Sequence, residues 1–224
     1  MFLQQQYLHS ISGLDFSVMA ALYPDLLAHS IRVGILMQQI ANVLQREYMH
    51  ISCPSADNVN SIFFCGLLHD IGKIFIPQSI LCKPAALTEQ EYRIIQQHTR
   101  WSRMAFDSFA SQMLVEKEQK EYILSAATYH HEAWNGSGYP YGIQGEAIPL
   151  IARICSFADV FDALTAERPY KRPWSPHEAL EYINNRIGQQ FDPYLGHALL
   201  KDTSWSILPV CSNDSTIICK QNQK

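Results

Sequence analysis

Apolar positions recur at helical spacing along most of this chain. Leu27, Ile31, Ile35, Leu36, Ile40 and Val43 follow Pro24-Asp25 near helical spacing, which predicts an amphipathic helix through about Tyr48. Asn58 or Ser61 can cap a second helix, carried by Ile62, Phe63, Phe64, Leu67 and Leu68 and reaching Asp70. Residues 72–87, with Pro77 and Pro84, read as irregular. Thr88-Glu89-Gln90-Glu91 is a capping box that opens a helix carrying His98. Further helices are expected over Glu116–His131, about Leu150–Ala166, Ser175–Ile187 and Phe191–Leu200. A glycine-rich loop, Asn135 to Gly142, separates two of them. Beyond Asp202, Trp205–Val210 and Thr216–Cys219 flank a polar stretch that suits a small hairpin or a frayed tail. The fold class is therefore all-α, a helical bundle with at most a short C-terminal hairpin.

Composition narrows the class. A chain of 224 residues can bury one sizeable core, and its 47% hydrophobic content is ordinary for a folded protein. No run of 18 apolar residues is present, so no membrane span is expected. Net charge is −4 without a basic run, which excludes duplex nucleic acid held by phosphate neutralisation. The N-terminus lacks the charged start and apolar centre of a secretory signal. Six scattered cysteines without a C-x-x-C pair fit reduced thiols in the cytoplasm.

The chemistry lies in histidines and aspartates. His69-Asp70 ends an apolar helix and is followed by Ile71-Gly72-Lys73, where Gly72 reads as a stop signal and Lys73 as a cation beside the site. His130-His131 is a second doublet at a helix end. Asp25 and His29 lie four apart on one helix face, and His98 and Asp159 come from two further helices. A bundle can aim all of these at one centre. Imidazole and carboxylate together suit Mn, Fe, Co or Zn better than calcium. Eight ligands exceed the needs of one tetrahedral ion, so two or three ions bridged by Asp70 are expected. Such a centre hydrolyses phosphate esters, one ion activating water while others hold phosphate oxygens. Singly, each residue also has an ordinary explanation: Asp159 can pair with Arg153 or Arg168 on a solvated face, and a lone His29 or His98 is usually a core or surface residue. His9, His50, His177 and His197 stay in that ordinary class. The joint occurrence favours the metal centre.

His-Asp-Ile-Gly-Lys at 69–73, His-His-Glu at 130–132, Gly-Tyr-Pro at 138–140 and Ala158 through Lys171 resemble the HD-GYP family of bacterial cyclic di-GMP phosphodiesterases, a branch of the HD metal-dependent phosphohydrolases. The resemblance runs from about residue 14 to 200. It implies that His69, Asp70, His98, His130, His131 and Asp159 are metal ligands, with His29 the further histidine of the first long helix. Asp25 falls where members with a third ion place a glutamate, one methylene longer. Lys73 matches a lysine near the scissile phosphate, able to stabilise developing charge or protonate the leaving group, so Lys73 and Asp70 are the catalytic candidates. Arg168 and Lys171 match residues that approach substrate phosphates. Gly138, Tyr139 and Pro140 would lie against substrate, with Tyr139 stacking on or bonding a guanine. Asn135 stands where many members carry aspartate.

The implied cofactors are two or three divalent transition-metal ions, iron or manganese by preference and zinc, cobalt or nickel as alternatives. The implied reaction opens cyclic di-GMP to linear pGpG, with a second round to GMP open. Two rivals stand: hydrolysis of another nucleotide, cyclic GMP-AMP included, and a signalling module that binds cyclic di-GMP without turnover. A homodimer or a signalling partner such as a diguanylate cyclase is compatible with the resemblance. The expected organisation is an extension over 1–13, the phosphohydrolase domain over 14–202 and a tail over 203–224. Either the chain is a free-standing enzyme or it is a fragment of a longer protein.

Overall fold

The computed structural model describes residues 24–47, 59–110, 116–167 and 172–206. Nine α-helices are defined there: α1 Pro24–Glu47, α2 Val59–Leu68, α3 Gln78–Leu81, α4 Glu89–Gln96, α5 His98–Ala110, α6 Lys117–Tyr129, α7 Leu150–Thr165, α8 Pro176–Asn184 and α9 Pro193–Lys201. The all-α expectation holds: the described residues contain no strand, and an isolated bridge between Ile187 and Phe191 is their only extended pairing. None of their helices is long and apolar enough to cross a membrane.

α2 is apolar on every side, and a helix of that kind belongs in the centre. It packs along α1 and against α6, while α7 packs on α1, α2 and α6. Val33, Leu36, Met37 and Ile40 of α1 meet Phe63, Leu67 and Leu68 of α2 and Phe157 and Phe161 of α7 in one continuous core. α1 and α2 approach more closely than ordinary side chains allow. A β-carbon on Gly66 would stand 2.6 Å from the backbone of Gly34, so the two glycines let the helices touch backbone to backbone. Trp205 closes the far end, edge-on to Phe161 and donating its indole N–H to the Leu199 carbonyl at 2.8 Å.

Several boundaries follow the sequence closely. Thr88 and Ser175 form full capping boxes with Glu91 and Glu178, and Asp192 caps α9 through the amides of Tyr194 and Leu195. Three expectations are revised. Residues 71–75 form a 3-10 turn and 78–81 a short helix, where irregular chain was expected. The helix from Thr88 ends at Gln96, and His98 begins a new one. The Trp205 arm of the expected hairpin starts inside a 3-10 turn, Thr203–Ser206, and the rest of it lies outside the described residues.

Candidate metal centre

The helix ends explain how the histidines are aimed. The last carbonyls of an α-helix have no partner within it. His69, just past α2, donates Nδ1–H to the Gly66 carbonyl at 2.6 Å. His98, after the break that ends α4, donates to Ile95 at 2.6 Å, and the Thr99 hydroxyl takes the Gln96 carbonyl at 2.9 Å. His130, at the end of α6, donates to Ala126 at 3.0 Å. A carbonyl can only accept, so Nδ1 carries the proton in each ring and Nε2 of the neutral imidazole keeps its lone pair. The break at Gln97 therefore serves the site, leaving the Ile95 carbonyl within reach of the His98 ring.

The lone pairs converge in two clusters. Asp70, His98, His130 and His131 offer ligand atoms that all lie within 4.8 Å of one another, and so do His29, His69 and Asp159. Asp70 joins them. Its Oδ1 lies 3.2 Å from His98 Nε2 and 3.8 Å from His130 Nε2. Its Oδ2 lies 3.3 Å from His69 Nε2 and 3.9 Å from His29 Nε2. Asp159 Oδ1 lies 3.2 Å from His29 Nε2 and 3.8 Å from His69 Nε2. His69 Nε2 and Asp70 Oδ1 are buried without a hydrogen-bond partner, which is costly unless a cation takes both. Neutral imidazoles, ionised carboxylates and orphaned donor atoms together fit divalent ions.

Seven of the eight proposed ligands thus meet in one place. Asp25 does not: it is exposed in the first turn of α1 and belongs to neither cluster. Lys73 stands beside the site, donating to Asp70 Oδ2 at 2.5 Å. Gly72 has no left-handed backbone angle, so it is not a helix stop. Its hydrogen lets the His98 carbonyl approach where a β-carbon would collide, drawing the 71–75 turn onto α5. The Gly-Tyr-Pro loop folds back on the ligand segment. Tyr139 donates its amide to His131 O at 3.1 Å and stacks on the His131 ring at 4.7 Å. Arg100 donates to Pro140 O at 2.9 Å. Gly138 leaves no room for a β-carbon against His131 O and Ala133 N. Arg168 and Lys171 lie outside the described residues.

Two contributors lie inside the quoted motifs but drew no role from the sequence. Glu132 is buried and accepts the Tyr141 amide at 2.7 Å, tying the loop to the His130-His131 segment. Asp162 accepts from His29 and Arg32. The matched i, i+3 spacings His29/Arg32 and Asp159/Asp162 were the available signal.

Electrostatics favour cation uptake. Burial opposes the charge on Asp70, yet Lys73 and the His69 ring hold its carboxyl well below the usual range. Asp159 is likewise held low against burial, by its bond to His29. Burial pushes His131 down to about 3 and His130 well below its ordinary value, so both are neutral. His29 is the exception: burial opposes its cation, but Asp159 and Asp162 outweigh it and raise the ring to about 9. Without metal, His29 is the cation of its cluster. A raised folded pKa adds stability that is complete below the unfolded value of about 6.5 and is lost as pH rises through about 9. The metal-stripped protein should therefore lose on the order of 2–3 kcal/mol from pH 6.5 to 9, a slope absent in His29→Gln. Calorimetric melting across that range checks it, and a flat profile for the stripped wild type would contradict it.

Comparison with known proteins agrees with this geometry. The HD domain family model matches residues 21–195. The chain is 41% identical over 165 residues to the cyclic di-GMP phosphodiesterase response regulator RpfG of Xanthomonas campestris pv. campestris, covering 72% of this chain and 41% of that one. It is 37% identical over 175 residues to 3'3'-cGAMP-specific phosphodiesterase 2 of Vibrio cholerae, covering 78% of this chain and 32% of the relative. The chain thus spans less than half the length of these curated relatives. A crystal structure of a Vibrio cholerae cyclic GMP-AMP phosphodiesterase shares the fold, with a TM-score of 0.52 and 24% identity over 79% of this chain and 44% of that one. With the His-Asp doublet, the His-His doublet and the Gly-Tyr-Pro loop gathered around one centre, the chain belongs to the HD domain family, in its HD-GYP branch.

Proposed function

We propose that this chain hydrolyses cyclic di-GMP to linear pGpG at a centre of two divalent ions, iron or manganese by preference. The observation that carries this reading is Asp70, whose two carboxylate oxygens face two separate clusters of ligand atoms. Bound there, the ions would supply a water nucleophile at neutral pH and neutralise the phosphate oxygens. His98, His130 and His131 would hold one ion, His29, His69 and Asp159 the other, with Asp70 shared. Lys73, 20% exposed beside Asp70, is placed to donate a proton from Nζ to the leaving 3′-oxygen or to steady the charge there. Arg168 and Lys171 are proposed to take phosphate oxygens that the ions leave free, Arg168 in bidentate fashion. The outer face of Tyr139 is proposed to meet a guanine, its inner face being occupied by His131.

Turnover of cyclic di-GMP, cyclic GMP-AMP and cyclic di-AMP by anaerobically purified protein tests the reading. Release of pGpG fastest from cyclic di-GMP is expected. A second reading, preference for cyclic GMP-AMP, has specific support, because relatives named for either nucleotide reach similar identity. Faster cleavage of the mixed dinucleotide would establish it, and no hydrolysis with metal bound would overturn both.

The exposed first-turn position of Asp25 argues against a third ion. Asp25→Ala should leave the metal count near two per chain and cost a few tenths of a kcal/mol, as a helix-dipole residue would. Elemental analysis showing one ion fewer would restore Asp25 to the site.

A further inference from the structure

His29 differs from the other ligand histidines in what orients it. His69, His98 and His130 stand at helix ends and bond carbonyls three or four residues back in the chain, Ala126 O also accepting the His130 amide at 3.1 Å. His29 lies one turn inside α1, and its Nδ1–H finds its acceptor on another element. Asp162 of α7 supplies it. Asp162 Oδ2 accepts from His29 Nδ1 at 2.7 Å. Arg32, one turn beyond His29, grips the same carboxylate with Nε on Oδ1 at 2.6 Å and a terminal nitrogen on Oδ2 at 3.0 Å. Asp162 is 1% exposed, so its carboxylate depends on this fork for charge compensation, and a lysine could not reproduce both bonds. Nε2 of the same ring faces Asp159, one turn before Asp162. Two i, i+3 pairs on facing helices thus interlock: one member of each points into the ligand cluster, and the other holds the ring in place.

We propose that Asp162 and Arg32 are positioning residues that fix the His29 ring and thereby set the affinity of the His29–His69–Asp159 cluster for its divalent ion. They touch neither ion nor substrate. This rests on the two-ion reading above. The alternative is that the pair only stitches α1 to α7, in which case its loss would lower stability and weaken both ions alike.

Manganese(II) titrated into metal-stripped full-length protein, with free ion read by electron paramagnetic resonance, separates these cases. Wild type should take up two ions. Asp162→Asn, nearly isosteric and still an acceptor, should weaken one of them about 10–100-fold and leave the other unchanged. Asp162→Ala should weaken that same ion further. Arg32→Lys should act on it too, and it carries the test if the Asp162 variants do not fold. Equal affinities in wild type and variants, or parallel loss of both ions with a lower melting temperature, would overturn the proposal. Uptake of fewer than two ions by wild type would instead overturn the two-ion reading.

Discussion

Asp70→Ala should lose at least one ion and slow cyclic di-GMP hydrolysis by about a thousandfold or more, equivalent to roughly 4 kcal/mol of barrier. The size of the effect follows from position. Asp70 is 2% exposed and, among the described residues, is the side chain whose two oxygens face both clusters. It also holds Lys73, so its removal frees the cation proposed to assist the leaving group. A shared carboxylate offsets part of the repulsion between two dications, and no neighbouring group can take its place. Asp70→Asn, which keeps the shape and removes the charge, should fold and still fail to hold both ions. Dinucleotide binding should outlast turnover, because the phosphate contacts proposed for Arg168 and Lys171 are untouched. Metal analysis and initial rates on the same preparation decide the matter; wild-type activity in either variant would remove Asp70 from the centre.

Gly72→Ala is expected to be nearly as damaging, although glycine carries no chemistry. Its added methyl would collide with the His98 carbonyl, whose position is fixed by the Ser102 hydroxyl at 2.9 Å. Neither partner is a flexible side-chain tip, so the 71–75 turn must move off α5. That move parts Asp70 from His98. Overpacking of this kind costs about 1–3 kcal/mol, or roughly 3–10 °C in melting temperature for a chain of this size. The cluster of Asp70, His98, His130 and His131 should lose affinity while that of His29, His69 and Asp159 keeps more of its own. An unchanged melting temperature with full metal content would show that the turn yields more easily than its contacts suggest.

The candidate ligands were legible in the sequence because metal chemistry restricts residue type, and the doublets His69-Asp70 and His130-His131 occur together with single His and Asp residues on further helices. Helix starts were legible where a cap has a side-chain signature, as at Thr88 and Ser175, whereas the Asp192 cap sets the last helix two residues beyond the expected start at Phe191. What stayed hidden depends on the relation between distant segments. The break at Gln97 has no proline or glycine to announce it; it is held by His98 and Thr99 reaching back to carbonyls. Gly34 and Gly66 look like poor helix residues until the two helices are laid together. Gly72 carried a helix-stop signal by type and a close-approach role by surroundings. Asp162 was visible, but its tie to His29 spans 133 residues. Asp25 had the right spacing from His29, yet it lies on the solvated side of the first turn.

The carbonyl anchors of His69, His98 and His130 have a consequence for exchange. Each ring is tied to a carbonyl three or four residues earlier in the chain, so a departing ion would uncover imidazoles that are already aimed. Reloading then needs an ion to reach the pocket and shed its water, not a search by three side chains for a common orientation. The centre should thus take a substitute metal on simple dialysis of the folded protein, and the ion found in it will report what was available during expression as much as any preference built into the fold.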